Sequence, residues 1–165
     1  MRDPLCYGRD RLDPMTLLFT ARIPGELRHR DIVGAMLSSV CERVESATGR
    51  AGLAWQVLSA YNEAFNNVVR HAYATARGDV EVTLQVDDDR VTLRLVDHGE
   101  GFDFARSGAV DAPPEFDRLS EGGMGLFIIR KLMSEVSYER RHGRNHLTMT
   151  KRLAELARGS RAPEG

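Results

Sequence analysis

The chain has 165 residues, 42% hydrophobic and 28% charged, which suits one soluble domain with a real core. Its formal net charge of −1 lacks the basic excess of a nucleic-acid binder, and arginine clusters only from Arg140 to Arg144. No apolar run is long enough to span a bilayer, no secretory signal pattern opens the chain, and the two cysteines, Cys6 and Cys41, fit neither a disulfide framework nor a metal motif. These features point to a cytoplasmic protein without direct contact to membrane or nucleic acid.

Met1 to Met15 is polar, with two prolines and a glycine, and reads as a flexible N-terminal segment. Thr16 to Ile23 is β-rich and reads as a first strand, ended by Pro24 and Gly25. From Glu26 to Thr48, apolar residues at Leu27, Ile32, Val33, Met36, Leu37, Val40 and Val44 fit an amphipathic helix closed near Gly49. Cys41 falls on it as a small buried residue. A second helix is expected from about Gly52 to Tyr73. Asp79–Val86 and Arg90–Val96 alternate with near-strict period two around the turn Asp87-Asp88-Asp89, the mark of a half-buried antiparallel pair.

Asp103 to Glu121 is long, polar and aperiodic, with Pro113-Pro114 inside it. A short helix, Met124–Met133, precedes two strands, Ser134–Arg141 and Asn145–Arg152, joined at His142-Gly143-Arg144. The end of the chain, Gly159 to Gly165, has a disordered composition. Strands that neighbour in sequence pair through short turns, so the expected fold is α+β. It is a two-layer sandwich with a mixed, mostly antiparallel sheet and helices on one face. The ordered domain is expected over residues 16–153, with a flexible tail at 154–165.

Three stretches carry chemistry. In the second helix Glu63, Asn67 and His71 recur four apart and share one stripe, among the apolar Ala60, Ala64, Phe65, Val68 and Val69. Burying a carboxylate and a carboxamide there without partners is costly, so a ligand is the favoured reason for them over simple exposure. The second stretch, Asp97-His98-Gly99-Glu100-Gly101-Phe102, leaves a strand. Its glycines permit a tight turn and close backbone approach, and Asp97 can accept a hydrogen bond from an exocyclic amine such as adenine N6. The third, Glu121-Gly122-Gly123-Met124-Gly125-Leu126, opens a helix, where free N–H groups and the helix dipole attract phosphate. It is neither a Walker A loop nor a dinucleotide fingerprint. Each stretch has a bland reading as well: a solvated helix face, a chance loop, a hinge.

In this order the three resemble the GHKL ATP-binding superfamily. Glu63 and Asn67 are similar to its N-box, Asp97-Gly99-Gly101 to its first glycine box and Gly123-Gly125 to its second. His71-Ala72-Tyr73 after Asn67, and Leu132-Met133-Ser134-Glu135-Val136 after the glycine box, resemble the compact anti-sigma-factor serine kinases. The likeness runs from about Thr16 to Leu153.

The resemblance implies ATP and Mg²⁺ as cofactors. Asn67 would ligate Mg²⁺ together with the phosphates. Asn67, Asp97, Gly99, Gly101, Phe102, Gly122, Gly123, Met124, Gly125 and Leu126 would bind ATP, and Glu63 would be the base for a serine hydroxyl. Residues 103–121 would form a lid over the phosphates. One departure from the pattern is Glu121, where some family kinases carry a basic residue; Arg106 or Arg118 of the lid would substitute for it. The implied partners are a sigma factor or similar regulator, which is sequestered, and a STAS-domain antagonist, whose serine is phosphorylated. A regulatory module that sequesters a partner without efficient transfer stays open as the alternative, as does the oligomeric state, a homodimer included. An ATPase fragment of a larger GHKL machine is disfavoured, because no transducer domain follows.

Overall fold

The computed structural model describes residues 17–72, 78–101 and 123–158. The expected lid with Arg106 and Arg118, the site candidates Phe102 and Gly122, and both terminal segments at 1–16 and 159–165 lie outside the described residues.

Strand β1 (Leu17–Pro24) leads into helix α1 (Leu27–Thr48). Val33, Leu37, Cys41 and Val44 are spaced four, four and three apart, so they form one buried stripe. The helix ends where Gly49 turns left-handed (φ 64°) and returns its N–H to the Glu45 carbonyl. Glu45 then serves twice, since its Oε1 accepts the N–H of Ala54 at 2.9 Å in the first turn of the next helix.

Helix α2 (Leu53–Asn67) buries Leu53, Val57, Ala60, Tyr61, Ala64 and Phe65. It lies against α1, where the Tyr61 hydroxyl donates to the Arg30 carbonyl (3.1 Å) and Arg30 Nη1 donates to Asn66 Oδ1 (3.1 Å). The chain continues past Asn67 as a π-helical turn, Val68–Ala72, where the sequence predicts α-helix through to Tyr73. The α-helical period therefore covers Glu63 and Asn67, and the backbone after Asn67 follows the wider π-helical turn.

Strands β3 (Asp79–Val86), β4 (Arg90–Asp97), β5 (Glu135–Arg141) and β6 (Arg144–Arg152) complete a five-stranded sheet with β1, in the order β1-β3-β4-β6-β5 and antiparallel throughout. Helix α3 (Gly123–Leu132) packs on α2. Val80, Val82, Leu84, Val86, Val91, Leu93, Leu95, Leu147 and Met149 face the helices and are buried with them in one cluster. Their sheet partners Glu81, Thr83, Gln85, Thr92, Arg94 and Thr148 point the other way and remain partly or fully accessible. The fold is therefore the expected two-layer α+β sandwich.

One feature has no counterpart in the sequence reading. Strand β2 (Arg50–Ala51) pairs with β7 (Ala157–Arg158), after a 3₁₀ turn at Leu153–Glu155, and Leu156 is buried. Residues 154–158 thus carry described structure that joins the domain through β2. Strands of two residues have no periodicity to read, and only the three-dimensional meeting of Arg50 and Arg158 creates them. Among the described residues no helix is long and apolar enough to cross a membrane.

Candidate nucleotide site

The candidate residues fall in two polar clusters. The first joins α2 to α3. Gly125 lies in the first turn of α3, and a Cβ there would stand 2.7 Å from Glu63 Oε2, 3.5 Å from Asn67 Nδ2 and 3.6 Å from Asn67 Oδ1. Glu63 and Asn67 thus both face the backbone at the start of α3, as their spacing of four predicts, and only a glycine admits them so closely. Asn67 is 8% exposed. Glu63 is half-buried and borders a cavity of about 410 Å³ between α2 and α3, which Trp55, Asn62, Phe127 and Lys131 also line. Met124 is exposed on the outer side of this turn, while Leu126 is buried in the core behind it.

The second cluster lies where β4 leaves the sheet. Asp97 is 6% exposed, and its Oδ1 accepts the N–H of Gly99 (2.9 Å) and the side-chain N–H of Asn145 (2.7 Å). Asn145 Nδ2 also donates to the Gly99 carbonyl at 3.1 Å. Both contacts are acceptors, which settles which end of the amide is nitrogen. Asn145 Oδ1 is buried with no hydrogen-bond partner among the described residues. Gly101 has φ 82°, and a Cβ on it would meet Tyr138 Oη at 2.7 Å and Asn145 Oδ1 at 2.8 Å. Backbone conformation and space both require glycine there.

Asn145 belongs to this candidate cluster and is not among the residues expected from sequence. Its signal was available: Asn145, Leu147 and Met149 share the inward face of β6, so a polar residue sits in a core-facing row. His98, in contrast, is exposed. Among the described residues no group of His, Cys, Asp and Glu is arranged to hold a metal ion by itself. A second cavity, of about 580 Å³, opens between α1 and the β3–β4 turn, with Val40, Val44 and Val86 in its walls, and touches none of these residues.

A helix that begins with glycines beside a carboxylate and a carboxamide, together with a buried acid at a strand end, is the arrangement expected of an ATP-binding class of fold. Residues 23–151 match the model of the histidine kinase-like ATPase domain, and the chain belongs to that family. Among curated proteins it is 33% identical over 153 residues to serine-protein kinase RsbW of Bacillus velezensis, covering 87% of this chain and 88% of the relative. It is 29% identical over 149 residues to RsbW of Bacillus subtilis (85% and 86%) and 30% identical over 132 residues to that of Staphylococcus epidermidis (74% and 79%). The crystal structure of the RsbU and RsbW domains of a Mycobacterium tuberculosis protein has the same fold, with a TM-score of 0.55 at 20% identity. That match covers 84% of this chain and 33% of the longer one.

Proposed function

We propose that the protein is an ATP-dependent protein-serine kinase of the anti-sigma-factor type. It would sequester a sigma factor or similar regulator and phosphorylate a serine of a STAS-type antagonist. The observation that carries the reading is the convergence of Glu63 and Asn67 on the glycine start of α3. The residues fit Mg·ATP: Asp97 has its carboxylate anchored through one oxygen by Gly99 and Asn145, which suits the other to an adenine amine. Asn67 supplies the kind of neutral oxygen ligand that Mg²⁺ takes alongside phosphates and water. When bound, ATP supplies the phosphoryl group. Glu63 stands one helical turn from Asn67 and receives the proton of the acceptor hydroxyl, while the N–H groups at the start of α3 hold negative charge. A phosphate placed on the antagonist adds charge at the contact surface and disfavours rebinding, which frees the kinase for the sigma factor.

The test is radiolabel transfer to the cell's own antagonist, paired with a nucleotide titration. Glu63→Gln keeps size and hydrogen bonding but removes the base, so ATP affinity should hold while transfer falls by roughly 10²–10⁴-fold. Transfer by the variant at the wild-type rate would remove Glu63 from the role of base. No transfer by the wild type, with ATP still bound, would favour the second reading, a sequestering module without efficient catalysis. Glu121, an acid in front of the glycine box, is the observation on that side.

A further inference from the structure

The loop Asp97–Gly101 is anchored from outside itself, and its anchors come from the β5–β6 hairpin. Strand register places Asp97 opposite Asn145 and Asn145 opposite Arg140, so the three stand in one row across β4, β6 and β5. Asn145 donates to Asp97 Oδ1 and to the Gly99 carbonyl. Arg140 Nη1 donates to the Glu100 carbonyl and lies 3.2 Å from where a Gly101 Cβ would stand. Three acceptors along the loop, on Asp97, Gly99 and Glu100, are thus met by one hairpin. Arg140 has no carboxylate within ion-pairing distance among the described residues, whereas its neighbour Arg141 pairs with Glu139 at 2.6 Å. Among the described residues its guanidinium thus bonds the loop backbone and no carboxylate.

We infer that Arg140 is a positioning residue of the adenine loop, holding the Glu100 carbonyl so that Asp97 to Gly101 keep their binding shape before nucleotide arrives. The inference rests on the ATP reading above. Glu100 lies between two glycines, and such a segment regains many backbone conformations once an anchor is lost. Apparent affinity then falls by the fraction of molecules that keep the competent shape. Arg140 acts on the base end of the site, so its loss should weaken ATP, ADP and adenosine by the same factor, with or without Mg²⁺. An arginine that touched phosphate would instead give losses that grow with the number of phosphates.

The experiment compares wild type, Arg140→Ala and Arg140→Lys by calorimetric titration with ATP, ADP and adenosine. Amide hydrogen exchange at Glu100 and Gly101 is measured alongside in nucleotide-free protein. Arg140→Ala should weaken all three ligands by roughly tenfold, the worth of one charged hydrogen bond to a neutral acceptor. It should also speed exchange at Gly101. Lysine, which can reach the same carbonyl, should recover part of both. Binding by Arg140→Ala at the wild-type level, a loss confined to ATP and ADP, or a lysine variant no better than alanine would overturn the assignment. Unchanged exchange at Glu100 and Gly101 in Arg140→Ala would overturn it without reference to nucleotide. If wild type binds none of the three ligands, the ATP reading itself fails and the inference falls with it.

Discussion

Asp97 shows how much chemistry one side chain can hold when its surroundings are arranged for it. Two N–H groups meet its Oδ1, so the acid is oriented and its burial is compensated. Asp97→Asn can keep its side-chain oxygen on those two N–H groups, which leaves the amide nitrogen in the place of the free carboxylate oxygen and sets donor against donor toward an adenine amine. ATP and ADP should bind about 1–3 kcal/mol more weakly, and discrimination against GTP should shrink. Unchanged calorimetric affinity with an intact circular dichroism spectrum would rule out an adenine contact at Asp97. At this scale the sequence was informative about residue type and spacing. Glu63, Asn67, Asp97, Gly101 and Gly125 were all legible, because each breaks an apolar pattern or supplies a glycine where backbone must come close. Asn145 left a trace, as a polar residue in an inward-facing row, but what it and Arg140 hold depends on which strand lies beside β4.

Between elements, the decisive contact is the start of α3 against the face of α2. Alanine at position 125 would place its Cβ 2.7 Å from Glu63 Oε2, an atom at the end of a flexible side chain. The cheap response is for the carboxylate to swing away while the helices stay in place. Gly125→Ala should therefore change stability by no more than about 1 kcal/mol, and alanine's helix preference favours it. Phosphoryl transfer should fall by about 10²-fold, as expected when a catalytic group is displaced by an ångström. A thermal scan and a transfer assay on the same preparation check this, and wild-type transfer by the variant would mean that the Glu63 position is not tied to Gly125. The helices and the five strands were readable element by element from periodicity and from glycine or proline breaks. The π turn after Asn67 and the β2–β7 pair were not, because neither has a local pattern distinct from helix or tail.

Across the whole molecule, α1 and α2 share a buried seam that holds two groups meant to stay neutral. Burial, and secondarily the carboxylates of Glu45 and Glu42, push the Cys41 thiol from 9.0 up to about 12. Burial also raises the Tyr61 hydroxyl above its ordinary range; Arg30 opposes the shift and Asp31 adds to it. Above pH 9 the unfolded chain releases the Cys41 proton while the folded chain keeps it. The unfolded state then binds fewer protons, and stability falls as pH rises from about 9 toward 12. Each such group contributes a slope of about 1.4 kcal/mol per pH unit within its window. Melting temperature should decline as pH rises above 9, and Cys41→Ala should decline less steeply. Equal slopes for the two proteins between pH 9 and 11 would show that Cys41 takes no part.

The sequence by itself determined the layers. Period-two strands and a four-residue helical stripe dictate which faces are apolar, and apolar faces leave water by packing on each other. It also determined that a carboxylate and a carboxamide share one helix stripe and that an acid precedes two glycines at a strand end, since those are properties of local spacing. Only the tertiary structure decided that Glu63 and Asn67 meet Gly125, that Asn145 holds Asp97, and that Arg140 closes the row. Those contacts join segments far apart in the chain. Their geometry follows from strand order and register, which are set by the packing of the whole core and by no local pattern.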